Sequence, residues 1–146
     1  MGEISGQSET DALWRDAGTL LREHERFRSR PYRDTVGKLT IGIGRNLDDR
    51  GISLAEANVM LGNDISDAVR DLRCYAFWEK ASHSRRVALI NFRFQLGLSG
   101  FQKFRNTIAK LNAGDWPGAA DAMLESKWAE QVPQRAKQIT EMIRMG

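Results

Sequence analysis

Ser53-Leu54-Ala55-Glu56 opens the longest helical pattern in the chain. Ser53 is a helix cap whose hydroxyl can accept the Glu56 amide, while the Glu56 carboxylate reaches back to the Ser53 amide. Leu54, Ala57, Val59, Leu61, Ile65, Ala68, Val69 and Leu72 then supply apolar positions as far as about Arg73. Roughly 20 residues at ~1.5 Å each span about 30 Å. So long a helix in a chain of 146 residues predicts a strut between two lobes.

The elements on either side fit that picture. Residues 1–10 are polar and acidic and read as a flexible tail. A first helix, 11–25, is capped by Thr10 or Asp11 and carries Leu13, Trp14, Ala17, Leu20, Leu21 and His24 on one face. Pro31 disfavours helix at Arg30. A β-hairpin follows, with a strand near Tyr32, a turn through Val36-Gly37-Lys38 and a strand Leu39–Ile43. Gly42 and Gly44 mark close backbone approach or unusual φ. They form no dinucleotide or phosphate loop, since no G-x-G-x-x-G opens a helix. Arg45–Ile52 reads as a polar loop.

After Cys74 the chain is helical. Ser84–Leu96 carries Val87, Leu89, Ile90, Phe92 and Phe94, with Gly97 as a stop. Phe101–Leu111 ends at Gly114; Asp115 caps Trp116-Pro117; Ser126–Gln131 is short; Pro133 starts a last helix reaching Arg144. There is no internal repeat or low-complexity linker. The fold class is therefore α+β and mostly α. A small N-terminal hairpin lobe (about 26–55) is joined by the long helix (about 53–73) to a helical lobe (74–146 plus 11–25). Residues 11–146 form one domain.

Composition bounds the chemistry. Apolar residues make up 41%, enough for a sizeable core. The net charge is +3 and uneven: residues 1–74 hold 11 Lys/Arg against 13 Asp/Glu, residues 75–146 hold 11 against 6. That surplus suits a polyanionic partner, although ordinary solvated faces are the more common cause of such a distribution. No basic-aromatic motif supports nucleic-acid binding. Cys74 is the lone cysteine, expected to be a buried thiol in a reducing compartment and not a nucleophile. With two histidines, no metal site and no cofactor are expected. No signal peptide and no membrane-spanning stretch are read, so no membrane insertion is expected.

Glu25 stands where the first helix ends, Asp34 where the first strand ends, and Thr40 on the opposite strand. Helix end and hairpin could present two carboxyls and a hydroxyl around one cleft, as glycosidic hydrolysis requires. Spacing alone is a weak signal, since a Glu at a helix end is usually a solvated charge and a Thr in a strand usually serves its β-propensity. Resemblance adds to this. Glu25 followed by Tyr32-Arg33-Asp34-Thr35-x-Gly37-x-x-Thr40-Ile41-Gly42-Ile43-Gly44 resembles the active-site segment of the T-even phage lysozymes, glycoside hydrolase family 24. Asp64-Ile65-x-x-Ala68-Val69-Arg70, Arg85-Arg86-x-Ala88-Leu89-Ile90-Asn91-x-x-Phe94-Gln95-Leu96-Gly97 and Ser126-Lys127-Trp128-x-x-Gln131-x-Pro133-x-Arg135-Ala136-Lys137 continue it, over about Leu20 to Arg144.

The resemblance implies a lysozyme-like, two-lobed fold and a muramidase cutting the β-1,4 bond between N-acetylmuramic acid and N-acetylglucosamine in bacterial peptidoglycan. It implies inversion, with Glu25 as general acid and Asp34 and Thr40 positioning a water. Arg135 falls at the position facing the catalytic Glu; Gln95 and Trp128 line or brace the cleft wall, with core packing an equal reading; Tyr32 and Arg45 are further substrate-side candidates. It further implies a monomeric endolysin held in the host cytoplasm until a holin-type lesion admits it to periplasmic peptidoglycan. A tail-associated or prophage-encoded lysin, or a non-catalytic peptidoglycan-binding module, are the alternatives. Two departures stand out. Arg26 replaces the family's glycine after the catalytic Glu, and Arg45 replaces a histidine after Gly-Ile-Gly. Against the family, a shortened loop between hairpin and long helix and no further C-terminal segment are expected.

Overall fold

A computed structural model describes residues 3–146, with side chains from residue 6. Its element order is α1 (Glu3–Glu25), β1 (Arg28–Arg33), β2 (Leu39–Gly42), β3 (Arg45–Asn46), α2 (Leu54–Leu72), α3 (Phe77–Lys80), α4 (His83–Gln102), α5 (Arg105–Asn112), α6 (Trp116–Leu124), α7 (Lys127–Gln131) and α8 (Pro133–Met145). This is a mostly α, lysozyme-like fold with one small antiparallel sheet. By internal contacts it divides into two compact units, Met1–Ala57 and Asn58–Gly146.

In the first unit α1 begins at Glu3, ahead of the start expected at Thr10 or Asp11, so residues 3–10 of the expected tail are helical. Met1 and Gly2 lie outside the described residues. The reason is visible at Thr10. Its hydroxyl donates to the Gly6 carbonyl at 2.9 Å, the back-bond of a mid-helix threonine and not a cap. The expected stripe is there, but Leu13, Trp14, Leu20 and Leu21 are exposed.

The sheet has the order β1-β2-β3, with Tyr32 opposite Thr40 and Arg33 opposite Leu39. β1 is an edge strand, which is where Pro31 can lie without breaking a ladder, and its register is irregular between Arg28 and Tyr32. β3 corrects the expected loop at Arg45–Ile52: Thr40 pairs with Asn46 and Ile41 with Arg45. Two polar residues carry no β-pattern of their own. They become a strand because Gly42 (φ +70°) and Gly44 (φ +69°) reverse the chain onto β2. The Leu47 amide then donates to the Leu39 carbonyl at 2.8 Å and the Leu39 amide to Asp48 Oδ2 at 2.8 Å.

The capping box before α2 forms as expected. The Glu56 amide donates to Ser53 Oγ at 3.1 Å and the Ser53 amide to Glu56 Oε2 at 2.7 Å. Arg45 adds a forked pair onto the same carboxylate, Nη1 to Oε2 at 2.8 Å and Nη2 to Oε1. The Arg45 hydrogen bond, followed by the Ser53 amide, holds the Glu56 carboxyl down at about 2. A carboxylate whose folded pKa lies below its ordinary value contributes stability above that ordinary value and loses it as pH falls through the folded one. Melting temperature is therefore expected to drop between about pH 4.5 and pH 2. Glu56→Gln should flatten that part of the profile while lowering the plateau at neutral pH, which a pH series of thermal melts will show.

The second unit holds the core. Leu72, Phe77, Leu89, Phe92, Phe101, Leu111, Met123 and Ile143 are fully buried. Ser82 caps α4 by accepting the Arg85 amide, Asp115 caps α6 by accepting the Gly118 amide, and Ser126 caps α7 by accepting the Ala129 amide. Gly97 (φ +72°, ψ +167°) breaks the α4 path as a stop should, but helical turns resume to Gln102. The expected helix Phe101–Leu111 is accordingly split at Lys103-Phe104. Among the expected core positions, Val87 and Phe94 on α4 and Leu54, Val59, Leu61 and Ile65 on α2 are exposed; Leu89, Phe92, Ala68 and Leu72 are buried. Cys74 is exposed, correcting the expected buried thiol, since it lies just beyond α2 with its Sγ 3.5 Å from the Arg70 carbonyl.

Candidate active site

Glu25 is the last residue of α1 and is exposed. The helix stops there because Arg26 turns left-handed (φ +55°) and its amide donates to the Arg22 carbonyl at 3.2 Å. This is the closure normally made by glycine. Arg26 therefore keeps the turn that its side chain disfavours, and the departure noted in the sequence is absorbed as local strain. Replacing it with glycine is expected to raise unfolding free energy by about 1 kcal/mol, the usual cost of a left-handed non-glycine residue, as read from a denaturant titration.

The Glu25 carboxyl rests against Gly44. A Cβ built on Gly44 lies 2.6 Å from Glu25 Oε2, 2.8 Å from Cδ and 3.0 Å from Cγ. The close approach expected at the Gly42-Ile43-Gly44 segment is thus real, and its partner is Glu25.

Asp34 directly follows β1 and is half-buried. Its Oδ1 accepts the amides of Val36 (3.0 Å) and Lys38 (2.8 Å), and among the described residues Oδ1 is the carboxylate oxygen that these bonds engage. The turn is closed by the Asp34 amide donating to the Lys38 carbonyl at 2.9 Å and the Gly37 amide to the Asp34 carbonyl at 3.0 Å. Thr40 is 4% exposed, and its hydroxyl donates to the same Lys38 carbonyl at 3.1 Å. Lys38 backbone thus links the two side chains. With one carboxylate oxygen fixed by the turn, the other is left to accept a water proton, while Thr40 Oγ can accept a second hydrogen. The first unit alone supplies two carboxyls and a hydroxyl.

The other candidates are dispersed. Tyr32 pairs with Thr40 across the sheet, and the Arg28 guanidinium stacks 4.3 Å above its ring. The fork of Arg45 is taken up by Glu56, with a third bond to the Gly51 carbonyl at 3.3 Å, so it ties β3 to the start of α2. The sequence signal for that pair is the capping-box Glu56, whose local pattern shows its role as a cap and not its second partner. In the second unit, Trp128 is buried with its ring 4.7 Å from Phe92, edge to face, and its indole N–H donates to Gln95 Oε1 at 2.8 Å. Arg135 is exposed and lines a shallow groove of about 270 Å³ with Leu61, Ile65, Val87, Ile90 and Phe94. Among the described residues there is no cluster of three or more His, Cys, Asp or Glu able to hold a metal, and no helix is long and apolar enough to cross a membrane.

A family model for phage lysozyme matches residues 22–143, most of the chain and all of the residues just described. The chain belongs to the phage lysozyme family. It is a glycoside hydrolase of the lysozyme type. It is 30% identical to the pre-baseplate central spike protein Gp5 of Enterobacteria phage T4 over 87% of its own length, and spans 27% of that protein. It is 24% identical to probable T4-type lysozyme 1 of Dictyostelium discoideum, covering 87% of this chain and 92% of that one. It is 32% identical to the SAR-endolysin of Escherichia phage Mu, covering 67% and 57%.

Proposed function

We propose that this lysozyme hydrolyses the β-1,4 bond between N-acetylmuramic acid and N-acetylglucosamine in bacterial peptidoglycan, with inversion. Glu25 protonates the leaving oxygen; Asp34 takes a proton from the attacking water, which Thr40 helps to hold. The observation that carries this is the fixed constellation of the first unit: Glu25 at the α1 terminus against Gly44, and Asp34 tied through Lys38 to Thr40. Inversion needs room for a water, and so a carboxyl separation of about 6.5–9.5 Å. Arg135, Gln95, Trp128, Tyr32 and Arg45 orient or brace, Arg45 and Trp128 through the contacts already described. Residues 11–146 act as one monomeric unit. The setting is lysis of the host by a protein made in its cytoplasm and admitted to the periplasm through a holin-type lesion. A tail-associated lysin is the second reading, favoured by the 30% identity to a central spike protein.

The test is clearing of outer-membrane-stripped Gram-negative cells by the purified chain, with products followed as reducing ends. Clearing with new reducing ends is expected, and the first-formed anomer should be α by proton NMR. Binding without cleavage would leave a wall-binding module, and clearing without reducing ends would leave a lytic transglycosylase; either overturns the proposal.

A further inference from the structure

We infer that Gly44 is a positioning residue for the catalytic acid: its missing side chain is the seat on which the Glu25 carboxyl lies. The inference rests on the reading of Glu25 as that acid. Two glycines flank Ile43 in nearly the same left-handed conformation, Gly42 at φ +70° and Gly44 at φ +69°. Conformation alone would give them the same importance, since any L-residue at either would be strained. Their surroundings differ. A Cβ on Gly42 meets nothing within 4 Å, whereas one on Gly44 meets three atoms of the Glu25 side chain at 2.6–3.0 Å. Gly42 therefore turns the chain, and Gly44 both turns it and leaves space for the carboxyl. Glu25 is exposed at the helix end that Arg26 closes, and its carboxyl group lies where a side chain on Gly44 would stand.

The pair supplies its own control. Gly44→Ala and Gly42→Ala impose the same backbone strain, but only the first pushes the carboxyl aside. A displacement of about 1 Å at a reacting group costs on the order of a hundredfold in rate. Gly44→Ala is expected to lower kcat about a hundredfold relative to Gly42→Ala, with KM within about threefold. Shortening the acid should partly relieve the crowding, so Glu25→Asp/Gly44→Ala is expected to exceed the product of the two single effects by about tenfold. Equal kcat for Gly42→Ala and Gly44→Ala, with Glu25→Gln inactive, overturns the seat and leaves the acid assignment standing. Activity in Glu25→Gln removes both. Should Gly44→Ala fail to fold, Glu25→Ala/Gly44→Ala decides: recovery of the folded state supports the contact and continued unfolding overturns it.

Discussion

Glu25→Gln is expected to lower turnover on cell walls by about a thousandfold, within the range of 10²–10⁴ that a positioned general acid contributes, while the melting temperature holds or rises. The two halves of this expectation have one structural cause. Glu25 is the final residue of α1, at the carbonyl end of a 23-residue helix. A negative charge is unfavourable there by roughly 0.3–1 kcal/mol. The side chain is exposed, so the isosteric amide leaves no cavity and strands no buried partner. Glutamine keeps the shape that rests on Gly44 but cannot give up a proton to a leaving oxygen. A residue retained for stability would behave in the opposite way, losing stability with its charge and leaving activity intact. Parallel thermal melts and reducing-end assays on the two proteins separate the cases. Loss of activity accompanied by unfolding, or full activity, would remove Glu25 from the chemistry.

How far the sequence foretells this site depends on how local each contact is. The capping box of Ser53 and Glu56 and the cap at Asp115 are legible because each is made within about four residues, by side chains whose geometry the helix itself fixes. The hairpin is legible for the same reason, its turn being written in Asp34 through Lys38. β3 escapes the pattern because its pairing is imposed by two glycine reversals and not by its own polar residues. Gly44 carries a signal of close approach but no sign of what approaches, since Glu25 lies nineteen positions earlier. The partner of Arg45 is not legible from sequence because no local pattern marks it. Only the fold shows that Glu56, 11 positions on, already occupies its fork. On α4, counting apolar residues overstates the core: Phe92 and Phe94 are two positions apart on a helix, so one faces inward while the other is 47% exposed.

That last contrast sets the largest stability effect. Phe92→Ala is expected to destabilise the chain by about 3–5 kcal/mol, as large-to-small changes at a closed core do, whereas Phe94→Ala should cost under about 1 kcal/mol. Phe92 is fully buried and is the centre of an aromatic cluster, with ring centroids 4.7 Å from Trp128, 4.9 Å from Phe104 and 5.9 Å from Phe101. All three neighbours meet it edge to face, an arrangement worth about 0.5–1.5 kcal/mol per pair beyond the area buried. Its removal leaves a void between α4, the Phe101–Phe104 turn and α7, and three rigid rings cannot all collapse into it. Against a typical total of about 5–15 kcal/mol, the loss takes a large part of the folded state's margin. The void also frees the face of Trp128, whose indole N–H is held by Gln95. Tryptophan emission of the folded variant should therefore shift to longer wavelength before global unfolding begins. Denaturant titrations of the two alanine variants, read by fluorescence, measure both effects together. Equal midpoints for Phe92→Ala and Phe94→Ala would mean that the inward face of α4 is not the one this cluster defines, and the bracing of Trp128 by Gln95 would then lose its support.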